Sequence, residues 1–413
     1  MSLALAARLD RAQIALAADV AAALLAVSLP WSTSATGILA VLWLVLLLPT
    51  LDLPRARAAF GEPAAVLPVL LWGLAILGLL WGDVAWMERL AGVGGYNKLL
   101  ALPLLILQFR HSPRGHWVLA GFVASAVALA ALSWLLVLLP GLPWRGKDPG
   151  IPVKDYLSQS AFCMIAGFAL LGAAVDLWRR GRVRLACGAA LLAAVLIANI
   201  VYVATGRTAL VVIPILMLLL AGKAFGWRGM IGAAVIGAAL ASLAWASSPY
   251  LRERVLKVFD EVQAYRTQDA ITSSGLRLEF WRKSVGFVAQ APVLGHGTGT
   301  MPDRFRRAAL EGGGAASVAA VNPHNQYLAV AIELGLVGAA VLVAMWLAHL
   351  ALFLGGGLPA WTGLVIVVQN MVSGAFNSHL FDFTHGWIYV VGVGVAAGMV
   401  LRARAPAAGV PAA

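Results

Sequence analysis

The sequence predicts an all-α polytopic membrane protein, with about 12 transmembrane helices and one long helical segment outside the membrane. Of its 413 residues 61% are hydrophobic and 12% are charged, and the mean hydropathy is +0.87. A soluble domain of this size exposes far more charge to water. Apolar stretches recur along the chain, and because lipid cannot pair with backbone groups, each spanning stretch must be a helix.

Twelve apolar stretches are predicted to cross the membrane. The first is interpreted as an uncleaved helix because it leads straight into the second. Several are shorter than the ~20 residues of a straight span, so their boundaries are approximate. The stretches are 14–30, 37–50, 64–81, 96–109, 117–139, 158–177, 185–204, 209–221, 229–247, 326–354, 359–377 and 386–401.

Basic residues accumulate in alternate connections between these stretches, and the densest run is RRGRVR at 179–184. The intervening short connections hold fewer basic residues. Because short cytoplasmic loops attract lysine and arginine, we expect both termini to be cytoplasmic. The chain then divides into 1–247 with transmembrane helices 1–9, 248–325 as a periplasmic helical segment, and 326–413 with helices 10–12 and a short cytoplasmic tail.

Charge and cysteine content exclude other classes of protein. The net charge of +12 follows from the loops and indicates no nucleic-acid partner, because no aromatic and basic recognition module occurs. Cys163 and Cys187 are placed near opposite membrane faces, so we expect no disulfide. The apolar stretches hold few charges, among them Asp19, Asp176 and Glu333, which disfavours a transporter with charged groups near the midplane.

Three helices are predicted in the segment 248–325. Tyr250–Tyr265 is amphipathic and suits a helix on the bilayer surface. Gly275–Gln290 ends before Pro292, and the basic stretch Met301–Leu310 precedes a flexible Gly-Gly-Gly joint. The polar residues of the chain therefore gather on one face of the predicted bundle.

Four short motifs follow one another in and after this segment. An Arg-x3-Trp pair precedes a Pro-x-x-Gly-x-Gly turn, and a His-Asn pair then opens an apolar stretch that carries Glu-x-Gly. Their residues are Arg277 and Trp281; Pro292, Gly295 and Gly297; His324 and Asn325; and Glu333 and Gly335. This order resembles the shared core of the O-antigen ligases and related O-antigen polymerases, a superfamily of membrane glycosyltransferases. TGRTAL at 205–210 resembles that family's short external loop with one arginine.

The resemblance implies an O-antigen ligase with a GT-C-like arrangement of helices. Such an enzyme moves glycan from an undecaprenyl-diphosphate-linked O-antigen donor to the lipid A-core acceptor, among membrane lipids at the periplasmic face of the bacterial inner membrane. The departing diphosphate must be stabilised by cations or oriented donors. The sequence contains no Asp-x-Asp pair, and arginine can bind phosphate without a metal, so we expect no metal and no cofactor.

Two arginines suit the role of binding the diphosphate. Arg207 occupies a short connection at the membrane surface, where an uncompensated guanidinium is costly; snorkelling to lipid headgroups is the alternative. Arg277 lies near a helix start, where free N–H groups also favour an anion. Its alternative is a solvated helix face or a salt bridge with Glu279. Arg282 is a further supporting candidate.

A histidine can take the proton of the attacking hydroxyl near neutral pH. Of the seven histidines, His296, His324, His379 and His385 fall on the predicted active face, and His296 stands among glycines expected to form a tight turn. His324 lies in the His-Asn motif and is the predicted general base, with a capping or headgroup-facing role as the alternative. Asn325 is expected to orient the ring or cap the helix. No covalent nucleophile stands out, so we expect an inverting displacement.

Asp382 is expected to orient the acceptor or an arginine; a zinc site with His379 and His385 is the alternative. Arg145 and Lys98 are candidates for contact with phosphate or anionic lipopolysaccharide, against the alternative of solvated loop charges. An O-antigen polymerase and a protein O-oligosaccharyltransferase use the same donor and remain open alternatives. A multispan lipid or glycan transporter is the alternative of another class.

Overall fold

The computed structural model describes residues 3–52, 54, 57, 61–144 and 148–405, with the backbone alone for residues 3–9. These residues are mostly helical and include no β-strand. The α-helices are α1 (Leu3–Ser28), α2 (Thr33–Leu47), α3 (Pro63–Leu77), α4 (Trp86–Asn97), α5 (Ala101–His111), α6 (Gly115–Leu138), α7 (Tyr156–Arg179), α8 (Val183–Tyr202), α9 (Arg207–Ser247), α10 (Pro249–Gln268), α11 (Ser273–Gln290), α12 (Met301–Leu310), α13 (Gln326–Phe353), α14 (Leu358–Gly374) and α15 (Phe383–Arg404).

Within the described part of the chain, ten helical segments are long and apolar enough to span a membrane. The difference from the predicted twelve lies in two places. α9 contains two predicted spans, and its backbone leaves the helical region between them at Gly226 (φ 68°, ψ −160°). α14 is the predicted eleventh span and is apolar, but it has only 17 residues. The prediction of an all-α polytopic membrane protein is confirmed.

The predicted span 96–109 is longer in the structure. α4 begins at Trp86, and a 3-10 turn at Lys98–Leu100 connects it to α5 without a break, giving one span of 26 residues. The sequence pattern missed the first turns because Glu88 and Arg89 interrupt the apolar run.

α15 lies at the centre of the bundle. It packs against α5, α6 and α14, and its residues Tyr389 and Val393 are fully buried. Small residues allow this close packing, since a Cβ on Gly394 would lie 2.7 Å from the Cβ of Leu105. Because α15 is packed on several sides, its N-cap residue Asp382 has a fixed position.

The helices predicted in the segment 248–325 are present as α10, α11 and α12. Phe280 and Phe287 of α11 each contact Phe305 of α12 edge to face, with ring centroids 5.7 and 5.3 Å apart. Ile332 of α13 belongs to the same cluster. Aromatic contacts of this geometry stabilise the segment beyond the burial of apolar area, so α11 and α12 are anchored to α13.

α10 divides its apolar side chains between two environments. Leu251 is buried against the protein, whereas Phe259 is 68% exposed. The amphipathic stretch Tyr250–Tyr265 is thus helical as predicted, but only part of its apolar face is free to contact a bilayer.

The turn Pro292–Gly299 packs on a break in α13. At Gly335 (φ 64°, ψ −166°) the backbone of α13 leaves the helical region. Two carbonyls before the break accept N–H groups of the turn at 2.8 and 2.9 Å, and two N–H groups after it donate to the turn at 2.8 and 3.3 Å. The buried Glu333 carboxylate accepts hydrogen bonds from the Gly299 N–H and the Tyr96 hydroxyl, both at 3.0 Å. The Glu-x-Gly and Pro-x-x-Gly-x-Gly motifs therefore form one structural unit.

Replacing Gly335 by alanine should destabilise this unit. The backbone conformation of Gly335 is one that other residues adopt only at a cost of about 1–3 kcal/mol, and a Cβ would lie 2.1 Å from the Val293 carbonyl oxygen. We expect a lower thermal unfolding midpoint of the purified protein in detergent. Gly286→Ala is the matched control, because a Cβ there meets nothing within 4 Å. Equal unfolding midpoints for the two variants would contradict the structural role given to Gly335.

Candidate active site

His324 lies in the loop that leads into α13, and hydrogen bonds fix the backbone around it. Its φ of 51° is in the left-handed region, and its N–H donates to the Asn322 side-chain oxygen at 2.9 Å. Asn325 caps α13 by accepting from the Leu328 N–H at 3.1 Å, and its amide donates to the Ala375 carbonyl at 2.9 Å. The expected capping role of Asn325 is therefore present, and it orients His324 through the backbone.

Arg277 is brought beside His324 by its helix. Trp281, one turn later on α11, donates from its indole to the Pro323 carbonyl at 3.0 Å, which ties α11 to the His324 loop. Burial and the charge of Arg207 lower the pKa of Arg277. Burial, and then the charge of Arg277, lower the pKa of His324. Within the described residues Arg277 makes no hydrogen bond or ion pair, so its guanidinium is available to an anion.

Arg207, the first residue of α9, has partners within the protein. Its guanidinium contacts the Glu261 carboxylate at 3.2 and 3.4 Å and donates to the Ser274 hydroxyl at 2.9 Å. Glu261 also accepts from the Ser274 N–H at 3.0 Å. Although burial acts in the opposite direction, the hydrogen bonds from Ser274 and Arg207 hold the pKa of Glu261 below its ordinary value. The carboxylate therefore stays ionised and fixes Arg207 against the start of α11.

A cleft of about 260 Å³ opens next to His324. Its walls come from the loop before α7, from the His324 loop and from the connection between α14 and α15. The lining residues are Asp155, Leu157, Asn322, His324, Asn377, Ser378, His379, Phe381, Asp382 and His385. Arg277 and Arg207 lie outside this lining. Arg277 acts electrostatically on His324, which lines the cleft, and Arg207 acts on Arg277.

Asp382 is held by three groups. One carboxylate oxygen accepts from the backbone N–H of His385 at 2.9 Å and lies 3.0 Å from Nδ1 of the same histidine. The other oxygen is 3.2 Å from Nζ of Lys154. Burial raises the pKa of Asp382, but contacts with His385 and Lys154 bring it below its ordinary value. Asp382 therefore orients His385 and Lys154. The sequence had predicted that it would orient the acceptor or an arginine.

The other predicted residues lie around this centre. Arg282 pairs with Glu279 at 2.6 Å and is 68% exposed. Lys98 donates to the Asp382 carbonyl at 2.7 Å, so it supports the loop before α15. Arg145 lies outside the described residues. His296 bonds through its ring to the Phe287 carbonyl at 2.8 Å, away from the cleft lining.

Sequence reasoning missed Tyr156, Arg254 and Glu261. The Arg254 guanidinium stacks over the ring of Tyr156 at 4.7 Å, and Tyr156 is one of the groups that act electrostatically on Arg277. For the alternative of zinc, the described residues contain no group of three or more His, Cys, Asp or Glu placed to hold a metal ion.

Residues 192–343 match the family model described as O-antigen ligase. The resemblance is confirmed for this region. The matched region contains Arg207, Arg277 and His324 but ends before Asp382. The family implies an enzyme that transfers glycans, and the helices make the chain a multi-pass membrane protein. No curated protein matches the sequence.

Proposed function

We propose that the protein is a metal-independent, inverting O-antigen ligase of the bacterial inner membrane. It transfers glycan from undecaprenyl diphosphate to the lipid A-core oligosaccharide on the periplasmic side. The observation that carries this proposal is the partly buried Arg277, which has no partner among the described residues and stands beside His324. A buried cation without a counter-ion is costly, so an anionic ligand is expected to complete the site.

In the proposed reaction His324 accepts the proton of the acceptor hydroxyl. The hydroxyl oxygen forms a bond to the anomeric carbon while the bond from that carbon to the diphosphate oxygen breaks. Undecaprenyl diphosphate leaves with the electron pair, and Arg277, with Arg207, stabilises its charge. Because the hydroxyl activated by His324 attacks the anomeric carbon directly, no covalent intermediate is needed, and one displacement with inversion is the simplest course.

The orientation in the membrane rests on the distribution of basic residues. With both termini in the cytoplasm, the segment 248–325, the Arg207 loop and the cleft all lie on the periplasmic side. An acceptor exposed at the outer leaflet reaches this side without crossing the bilayer. The GT-C-like arrangement, with the site at one end of a helical bundle, belongs to the same proposal.

Reconstitution with defined substrates tests this function. Purified protein receives an undecaprenyl-diphosphate glycan and, in separate reactions with a chelator present, lipid A-core, a second donor molecule or a serine peptide. We expect product only in the reaction in which lipid A-core is the acceptor. Product with the second donor alone would make the protein a polymerase, and product with the peptide alone a protein O-oligosaccharyltransferase. No product with any acceptor would contradict glycan transfer and favour transport.

The pH dependence of transfer should reflect the environment of His324. Burial and Arg277 lower the pKa of His324, so its neutral, basic form persists below its ordinary pKa of about 6.5. Activity should be retained above the lowered pKa and fall as the pH decreases through it. kcat/KM for the donor, which depends on the free enzyme, should therefore have its acidic limb below pH 6.5.

Arg277→Gln should move that limb to higher pH in the residual activity, because one of the two causes of the lowered pKa is removed. Arg266→Gln, at an exposed position of α10, provides the control with an unchanged limb. A limb that stays at the same pH in Arg277→Gln would contradict the electrostatic contact between Arg277 and His324.

A further inference from the structure

One wall of the cleft carries polar atoms that the protein leaves without partners. We name Asn377, His379, Asp382 and His385 the α14–α15 wall; the side chains of Asn377, His379 and His385 are only 8%, 5% and 7% exposed. Nδ2 of Asn377 is buried without a hydrogen-bond partner. Within the described residues, the ring nitrogens of His379 and Nε2 of His385 also make no hydrogen bond. Buried polar groups in proteins are normally paired, so the unpaired Nδ2 of Asn377, together with the open ring nitrogens beside it, points to a ligand at this wall.

Contacts within the wall determine what Nε2 of His385 offers. The Asp382 carboxylate lies 3.0 Å from Nδ1 of His385, so this nitrogen is engaged within the protein and Nε2 is left for a ligand. The ring of His379 stacks on that of His385 with centroids 4.1 Å apart. Burial, and then His385, lower the pKa of His379, so His379 is neutral and offers one donor and one acceptor.

The charge of the α14–α15 wall does not suit a phosphate. Two lysines lie nearby and both are engaged: Lys154 contacts the Asp382 carboxylate at 3.2 Å, and Lys98 donates to the Asp382 carbonyl at 2.7 Å. Asp155 adds a second carboxylate to the cleft lining. The amide of Asn377 and the ring of His379, beside carboxylates, instead match the hydroxyl groups of a sugar, each of which both donates and accepts. Arg207 and Arg277 are absent from the cleft lining, so the residues proposed for anion binding differ from those proposed for hydroxyl binding.

We propose that the α14–α15 wall is the subsite for the acceptor sugar and binds its neutral hydroxyl groups. This inference rests on the proposed function, because it assigns one of the two substrates to the cleft. A volume of about 260 Å³ accommodates a single sugar ring. His324 lines the same cleft and adjoins Arg277, so it stands between the acceptor hydroxyl and the diphosphate.

Substitutions that remove one unpartnered atom at a time test the subsite. His385→Asn retains an amide where Nδ1 contacts Asp382 but has no group in place of Nε2, whereas His385→Gln restores a polar group there. Asn377→Ala removes the buried, unpartnered Nδ2 of the wall. With each lost hydrogen bond worth about 0.5–1.5 kcal/mol, we expect KM for the acceptor to rise about 2- to 10-fold in His385→Asn and Asn377→Ala, with partial recovery in His385→Gln.

The control is His116→Asn, at an exposed histidine outside the cleft lining, for which both KM values should equal those of the wild type. KM for the donor should stay within twofold in all variants, and thermal midpoints identify any variant that fails to fold. A rise in KM for the donor, with KM for the acceptor unchanged, would overturn the proposal and assign the wall to the donor glycan. Unchanged values of both constants would also overturn it.

Binding without turnover separates this inference from the proposed function. Saturation-transfer NMR with the soluble core oligosaccharide, freed of lipid A, should give signals from the sugar with the wild-type protein and weaker signals with the double variant His379→Ala and Asn377→Ala. This result can stand even if no transfer occurs, in which case the proposed function alone fails. Equal signals from both proteins, alongside normal transfer, would contradict the subsite alone.

Discussion

Replacing His324 by asparagine should lower kcat for glycan transfer by about 10²–10⁴-fold, the usual contribution of a general base. The variant keeps the loop and the two arginines but has no group that can take the proton of the acceptor hydroxyl. The lowered pKa of His324 keeps the wild-type ring in its basic form, so this loss should be seen at neutral pH. The measurement is the initial rate of transfer at saturating donor and acceptor.

Asparagine is the suitable replacement because of the backbone at this position. His324 has a φ of 51°, and asparagine adopts the left-handed region more readily than alanine does. The thermal midpoint should therefore stay near that of the wild type, and binding of the donor should be retained. A kcat close to the wild-type value in a folded His324→Asn protein would refute the assignment of the base.

The fold was predictable because membrane insertion leaves a strong signal in the sequence. Spanning helices need long apolar runs, and nearly all such runs became helices where expected. The errors arose where local patterns are ambiguous. A polar turn separated 209–221 from 229–247 in the sequence, while in α9 the chain changes direction within one residue, at Gly226.

Pairwise contacts across long sequence distances were not predictable. Arg207 and Glu261 form an ion pair although 54 residues separate them, and neither local spacing nor composition indicates which carboxylate meets which arginine. The same holds for Lys154 and Asp382. Motif order indicated His324 and Arg277 as candidates, because motifs shared within a family reflect the packing of its members.

The α14–α15 wall was predictable only in part. His379, Asp382 and His385 attracted notice through their three-residue spacing, which suggested zinc. In the structure Asp382 is the N-cap of α15, so the spacing reflects the first turn of a helix that brings its N-cap and third residue together. The residues were found, but the helix start that determines their geometry was not.

Replacing Arg277 by glutamine should lower kcat by about 10²–10³-fold, as expected when one donor to a developing anion is removed. Thermal stability should change little, because Arg277 has no partner among the described residues. Arg277→Lys should recover part of the rate, since it restores the charge without the planar fork. Arg266→Gln, at an exposed arginine of α10, should behave as the wild type.

Arg207→Gln distinguishes a role in catalysis from a role in structure. Its Glu261 partner is only 10% exposed in its side chain, and removing Arg207 leaves that carboxylate without its counter-charge, so this variant should lose both activity and thermal stability. Arg277→Gln should lose activity alone. If the unfolding midpoint of Arg277→Gln falls as far as that of Arg207→Gln, Arg277 stabilises the fold. The proposal that its guanidinium is free to bind the diphosphate would then be refuted.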